Sequence, residues 1–451
     1  MSFVAIGIIQ YFRQICTINL STVPNQSFMR YRMFAVSNDD YPESEANCKR
    51  IFGGTSVYPM DIYMGIENLP FKATVDAALR IARYGATSTS YMEAVNRLKE
   101  SFDYRLSDNQ VREITDYIGD IILAEDIRQK EERLVSYEPK AMRIARRGRR
   151  PRDGFVLYCE VDGAMFNTRR SKEETEALRK AGKSNWMENK LGVVFRSDEL
   201  IDTGEKEEDG SSIMRLGRRE YVGTTQGVEE FRERLASTLL KNGMKDASAI
   251  VLISDGAPWI RRTREQYFPN ATQILDLFHL KENVMKFAQH LFGNDKSKYY
   301  PWWKTACNLL EAGRWRDLLN RSEVAEYKSS KDTPGGVPNL YQYIWNNRDI
   351  IDYPTYKAKG YFVGSGAIES GHKTVMQERI KLAGMRWYPD SAEKLMALRT
   401  KIRSNLWESE VVPLVRREYS RRHTVEGNVR QKQRKSHSKS SEKTQKSSEK
   451  R

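Results

Sequence analysis

The chain has 451 residues, 30% of them charged and 39% hydrophobic, with a formal net charge of +15. That balance suits a soluble protein of about two to four domains and excludes both a membrane-embedded chain and one without a core. Four scattered cysteines, Cys16, Cys48, Cys159 and Cys307, contain no CxxC pair. They exclude a disulfide scaffold and an all-Cys zinc finger, and they imply a reducing, cytoplasmic compartment. The apolar run from Phe3 to Ile9 is too short to span a bilayer and has no basic region before it, so neither a membrane anchor nor a signal peptide is expected.

Residues 1–60 read as an irregular segment, with loop signals at Asn38-Asp39-Asp40 and Gly53-Gly54. Residues 61–150 read as a helical region. Val75, Ala78, Leu79 and Ile81 make one apolar face. A further helix opens near Leu106, capped by Ser107 or Asp108, and continues through Val111, Ile114 and Ile118. These helices precede a basic connector at 140–152. They admit two readings, a helix-turn-helix-like DNA reader or plain core.

Residues 151–285 change to strands. The stretch 155–162 is a buried strand ending in Asp162, before the breaker Gly163. Strands follow at 191–195 and 219–225, then an amphipathic helix at 228–240. The stretch 249–255 is a fourth strand, again ending in an acid, Asp255, before Gly256. A short fifth strand, 272–276, leads into a helix at His279. Three consecutive strands suggest an antiparallel meander, and strands alternating with helices suggest parallel additions. The expected fold is therefore α/β, a mixed sheet of the ribonuclease-H type.

Residues 286–360 are helical and rich in Trp (Trp302, Trp303, Trp315, Trp345), as an α-helical insertion with its own core would be. Residues 361–410 hold the last helices: one opened by the Gly364-Ser365-Gly366 loop and running to about Leu382, another from Ser391 to about Trp407. Residues 411–451 form a basic tail, with 13 Lys/Arg against 4 Asp/Glu from Arg416 onward. No large apolar residue follows Val429, so the tail is expected to be disordered. It suits a polyanion, or it serves only solubility.

An Asp at the end of a strand packed on both faces is costly unless it is solvated, paired or metal-bound. Asp162 and Asp255 both sit there, and neighbouring parallel strands would bring them to one edge. Glu369 lies one turn into the helix after the Gly-Ser-Gly loop. Singly, each Asp-Gly is also an ordinary turn. Together the three carboxylates suit two Mg²⁺ or Mn²⁺ ions, which would activate a water or a 3′-hydroxyl for in-line phosphoryl displacement.

Six stretches occur in order: Val161-Asp162-Gly163-Ala164, Glu188-Asn189-Lys190-Leu191-Gly192-Val193-Val194-Phe195, Ser254-Asp255-Gly256-Ala257-Pro258-Trp259-Ile260, Ile274-Leu275-Asp276-Leu277-Phe278-His279-Leu280, Gly364-Ser365-Gly366-Ala367-Ile368-Glu369-Ser370 and Gly384-Met385-Arg386-Trp387. Over roughly residues 60 to 405 the chain resembles the bacterial insertion-sequence DDE transposases of the ISLre type. The resemblance implies a ribonuclease-H-like catalytic domain with an α-helical insertion before the last acid. It implies Asp162, Asp255 and Glu369 as catalytic, metal-holding residues. Asp276 and His279 match the D-x-x-H element, whose implied part is to orient a phosphate or support the site's edge; Asp276 also reads as a plain helix cap. His372 shares a helix face with Glu369 and reads as a support behind the metal ligands or as a surface residue.

Lys373, Arg379, Lys381 and Arg386 would line a phosphate track, with Trp387 as a stacking surface or as core. Glu188 and Lys190 read as a supporting ion pair or an ordinary exposed one. The implied activity is cleavage of transposon-end DNA and strand transfer to target DNA, by a homodimer or larger assembly on the nucleoid in the cytoplasm. The alternatives are a decayed remnant that only binds DNA and a ribonuclease-H-type nuclease. A metal-dependent phosphatase is disfavoured, because Ala164 stands where its second acid belongs. Cys48 has no close partner, which speaks against an N-terminal zinc site.

Overall fold

The computed structural model describes residues 71, 73–138, 154–206, 212–329 and 333–421. The segment 1–60, the basic connector and the tail beyond 421 lie outside the described residues. The chain divides into two compact units. The larger, Val75–Arg97 with Leu106–Glu418, holds the sheet and the candidate site. Of the smaller, residues 98–105 form a helix end and turn, in which the Tyr104 N–H donates to the Leu98 carbonyl and Asp103 is left-handed at φ 51°.

Helices α1 (Val75–Thr87), α2 (Tyr91–Phe102) and α3 (Asp108–Leu134) come first. Ser107 starts α3 with a reciprocal capping box: its hydroxyl accepts from the Gln110 N–H, and the Gln110 side chain accepts from the Ser107 N–H. The stripe Val111, Ile114, Ile118 and Ile122 is buried. The helix is 27 residues long and is a brace packed on other helices of the unit; its apolar face is core.

The strands follow: β1 (Val156–Asn167), then α4 (Lys172–Lys180), β2 (Trp186–Arg196), β3 (Leu200–Lys206), β4 (Ser212–Leu216), β5 (Glu220–Thr224), α5 (Val228–Lys241), β6 (Ala249–Ser254), α6 (Pro258–Tyr267) and β7 (Thr272–Leu275). Five of them form one sheet in the order β5-β2-β1-β6-β7. β5, β2 and β1 are a meander of antiparallel pairs, and β6 and β7 run parallel to β1. This is the expected ribonuclease-H-like arrangement. Side chains alternate across β1. Leu157, Cys159 and Val161 join Val194, Leu252, Phe231 and Leu235 in the core under α5 and α6. Tyr158, Glu160 and Asp162 take the other face, where Tyr158 stacks on Phe195 at 5.1 Å.

Two expectations about the strands fail. β1 does not stop at Gly163 but pairs with β2 as far as Asn167. A Cβ at Gly163 would lie 2.3 Å from Glu188 Oε1, so the glycine permits a close approach and breaks nothing. The β3–β4 hairpin, absent from the sequence reading, is almost wholly exposed along β3 and so carries no burial alternation to detect.

Beyond β7 the chain is helical: α7 (Leu277–Phe292), α8 (Lys296–Glu311), α9 (Trp315–Leu319), α10 (Ser322–Ala325), α11 (Leu340–Asn347) and α12 (Tyr353–Ala358). Trp302 is buried against Phe287, their ring centroids 6.0 Å apart, and Trp303 donates to the Lys281 carbonyl. Trp345 is exposed. Next come α13 (Gly366–Gly371), a π-helical turn (His372–Gln377) and α14 (Pro389–Arg403). The helix after the Gly-Ser-Gly loop is thus shorter than expected and ends before Leu382. Residues 412–421 are helical, so the start of the expected disordered tail is ordered. No helix among the described residues is long and apolar enough to cross a membrane.

Arg379 and Arg399, both 1% exposed, fasten α1 to the segment around the π-turn. Arg379 donates to the Gly85 and Thr89 carbonyls. Arg399 donates to the carbonyls of Val375, Thr374 and Ala86. Each stranded buried carbonyl costs roughly 1–3 kcal/mol. Arg399→Met keeps the apolar stem and removes the donors, so urea unfolding should show a loss of at least about 3 kcal/mol. A loss under about 1 kcal/mol would mean that the three carbonyls are re-solvated at little cost.

Candidate active site

The pairing of β1, β6 and β7 places three acids in one row. Glu160 pairs with Ile253, and Ser254 with Leu275. Continuing each register past the strand ends sets Asp162 beside Asp255 and Asp255 beside Asp276. The Asp276 N–H still donates to the Ser254 carbonyl at 2.8 Å. At Asp255 the backbone turns away: its Oδ1 accepts from the Ala257 N–H at 2.9 Å, just before α6. Gly256 takes φ 84°, and a Cβ there would lie 2.7 Å from Asn347 Oδ1. The glycine is required both for its conformation and for space.

The acids respond to one another. Burial raises the Asp255 carboxyl above the usual range, and the Asp162 charge raises it further. Burial also opposes charge on Asp162. There the His372 contact, its charge, the Gly163 N–H and the His279 charge outweigh it, and the pKa falls. His372 is buried, with Nε2 3.3 Å from Asp162 Oδ2, and so is not a surface residue.

Asp276 is fully buried and well bonded. Its Oδ1 accepts from the Phe278 N–H, capping α7, and its Oδ2 lies 2.5 Å from His279 Nδ1 and accepts from the Ser365 hydroxyl. The helix-cap and site-edge readings of Asp276 therefore both hold. Burial opposes its charge, but His279, Ser365 and the Phe278 N–H together lower its pKa. The Asp276 bond and charge push His279 up to about 9.

Ser365 starts α13 and carries Glu369 toward this pair. Ligand atoms of Asp276, His279 and Glu369 all lie within 4.8 Å of one another. Asp162 and Asp255 are outside that grouping, in the row beside it. The Asp276 and Glu369 carboxylates of this set suit a hard divalent cation, with His279 beside them. The pairing through Nδ1 leaves His279 Nε2 for a further partner.

Three contributors escaped the sequence reading. Glu160, 3% exposed and two residues before Asp162, accepts from the Ile368 N–H at 2.8 Å and so anchors α13. Burial pushes its carboxyl up to about 8, with the Asp276 and Glu369 charges adding to the rise. Its signal was an acid on the Asp162 face of an otherwise apolar strand. Ser365 is the second anchor. Asn189, fully buried opposite Ala164, shares the Asp162 face, and neither of its amide atoms has a hydrogen-bond partner among the described residues.

The expected DNA-binding residues divide. Lys373, Lys381 and Arg386 are exposed. Arg379 is not available: it is clamped between the Tyr91 and Trp387 rings at 4.5 and 4.7 Å. Trp387 is core, bridged to Thr168 at the end of β1, with its indole N–H on the Ile380 carbonyl. A basic residue between Glu378 and Lys381 looks solvated in sequence, and only the tertiary clamp shows otherwise. Lys190 pairs with Glu188 at 2.9 Å, but it is buried, 3.9 Å from the Trp259 ring centroid, on the face opposite Asp162. It props the strand from behind.

The model of an uncharacterised protein family, UPF0236, matches residues 47–297, more than half of the chain. No curated protein matches. Among solved structures, the chain is similar to a Drosophila P element transposase strand transfer complex, at 10% identity and a TM-score of 0.35, covering 82% of this chain and 99% of that one.

The Asp276–His279 pair makes stability depend on pH. The raised His279 contributes fully below about 6.5, its unfolded value, and loses that contribution as pH rises through about 9. The lowered Asp276 contributes above its unfolded value, near 3.9, and loses it as pH falls through the folded one. In metal-free protein the wild type should therefore weaken from about pH 6.5 to 9 relative to His279→Asn. The size is trimmed by solvent, since the imidazole is 37% exposed. Parallel urea midpoints for the two proteins across that range would refute the pairing.

Proposed function

The chain belongs to the UPF0236 family, and we propose that it is a DNA transposase of the DDE type, similar to the ISLre-type insertion-sequence enzymes, that cuts transposon-end DNA and joins it to target DNA. The observation that carries this reading is the row of Asp162 within β1 and of Asp255 and Asp276 just past the ends of β6 and β7, with Glu369 set against it by α13. Asp162, Asp255 and Glu369 would hold two Mg²⁺ or Mn²⁺ ions. When bound, such ions supply Lewis-acid stabilisation of phosphoryl oxygens and a more acidic attacking hydroxyl.

The chain's own residues do the rest. His372 keeps the Asp162 carboxylate charged and aimed. Asp276 holds the His279 imidazole protonated, and the imidazolium donates to a non-bridging phosphate oxygen. Glu160 and Ser365 lock the start of α13, which fixes where Glu369 stands. Lys373, Lys381 and Arg386 hold the phosphate backbone beyond the reacting group. Two ends must be joined in one event, so the working form is at least a homodimer on DNA, in the cytoplasm at the nucleoid.

In this reading, Asp162→Asn, Asp255→Asn and Glu369→Gln each lower Mg²⁺-dependent nicking of end-bearing DNA by roughly 10²–10³-fold or more, with unchanged circular dichroism. His279→Gln leaves measurable nicking at a lower rate. Full cutting by any purified variant of the three acids overturns the assignment. Salt-sensitive DNA binding by the wild type without any Mg²⁺-dependent nick identifies a remnant that only binds.

A further inference from the structure

One flank of α13 borders a cleft of about 890 Å³, closed on its far side by the β3–β4 hairpin. Small-molecule sites span about 300–1,000 Å³, so the space is of ligand size. Its walls are apolar and aromatic, with Phe278, Phe362 and Met214 among them, and Arg215 and Arg219 stand at the hairpin side. Phe278 is 61% exposed although its neighbours Leu277 and Asp276 are buried. It is also held in place. Its N–H is bound to Asp276, and a Cβ at Gly364 would lie 2.7 Å from its ring, so only glycine lets the loop lie against it. A large ring fixed by its backbone and left in water marks a binding surface.

The charge points to an anion. Arg215 is exposed and Arg219 half-buried over the Tyr221 ring, and neither has an acidic partner among the described residues. Glu160 of β1 and Gly366 of α13 border the cleft and also belong to the carboxylate site, so the two spaces share a wall. An aromatic face beside unpaired guanidinium groups matches a base with its phosphate. A base within a duplex has no free face to offer, so the occupant is unpaired. We propose that this cleft takes an unpaired nucleotide of the DNA strand under processing, its base against Phe278 and its phosphate at Arg215 and Arg219. The inference rests on the DNA reading above and deepens it by assigning a strand-binding site.

The test uses the full chain in EDTA, so that nothing is cut, with fluorescence anisotropy on a labelled single-stranded oligo-dT and on a blunt duplex. Base–aromatic stacking predicts that Phe278→Ala weakens oligo-dT binding by about tenfold or more, with a smaller effect on the duplex, and that Phe278→Tyr restores it. Arg215→Gln and Arg219→Gln should each lower the slope of log affinity against log salt by about 0.7. Oligo-dT affinity and salt slope unchanged in all three loss variants, with folded circular dichroism, overturn the cleft. Mg²⁺-dependent nicking by the wild type is scored separately. Nicking with unaltered oligo-dT binding in Phe278→Ala sinks the cleft and keeps the enzyme. Stacking without nicking does the reverse.

Discussion

Parallel hydrogen bonding of β6 to β1, and of β7 to β6, dictates where the acids lie. Parallel strands keep a common direction, so equal distances past their ends fall on one edge. Asp255 and Asp276 each follow the last residue of their strand, and Asp162 lies level with them inside the longer β1. The arrangement is electrostatically costly, because the Asp162 charge raises Asp255, and Asp276 with Glu369 raises Glu160. Two imidazoles offset part of the cost, His372 at Asp162 and His279 at Asp276. Asp162, Asp255, Asp276 and Glu369 still outnumber the imidazoles, an excess of carboxylate that a divalent cation would relieve.

The second half of the site is tied to the first by buried polar contacts. α13 has only six residues and would be marginal alone. Glu160 binds the Ile368 N–H and Asp276 binds the Ser365 hydroxyl, so the same edge that needs Glu369 also positions it. Behind it, Arg399 binds the Val375 and Thr374 carbonyls and reaches Ala86. The π-turn from His372 to Gln377 leaves carbonyls that a regular helix would satisfy itself, and the arginine supplies their donors. The helices ahead of the sheet thus serve the site at a distance, as a brace whose loss would loosen the Glu369 segment.

Much of this was legible in the sequence because the sheet is doubly covered. Its strands are near-continuous apolar runs, and an acid inside such a run stands out. Asp162, Asp255 and the D-x-x-H pair all carry that signature. Glu160 carries it too, masked by its neighbour Asp162, and the other features that escaped lack contrast. β3 of the β3–β4 hairpin is almost wholly exposed and shows no alternation. Arg379 carries the charge of a surface residue, yet it is clamped between two rings and two carbonyls that arrive from far along the chain. Gly163 looked like a stop because glycine usually interrupts strands, whereas here it makes room for the Glu188 side chain. At Arg379 and Gly163 a partner from elsewhere in the fold, and not the residue type, decides the role.

The segment Asp276-Leu277-Phe278-His279 shows how closely the roles are packed. Leu277 is buried in the core, Asp276 is buried in the polar pair, His279 is half-buried within reach of Glu369, and Phe278 is exposed at the cleft. At the first turn of a helix four consecutive side chains point in four directions. A core residue, a polar pair and an exposed ring can therefore be supplied by four adjacent residues only if the helix starts at one fixed point, and the Asp276 cap on the Phe278 N–H fixes it. A cap shifted by one residue would turn Phe278 into the protein and His279 away from Asp276. The carboxylate that raises the histidine is thus also the group that holds the ring at the cleft, and in the proposed reading it would couple the acidic site to strand binding through a single side chain.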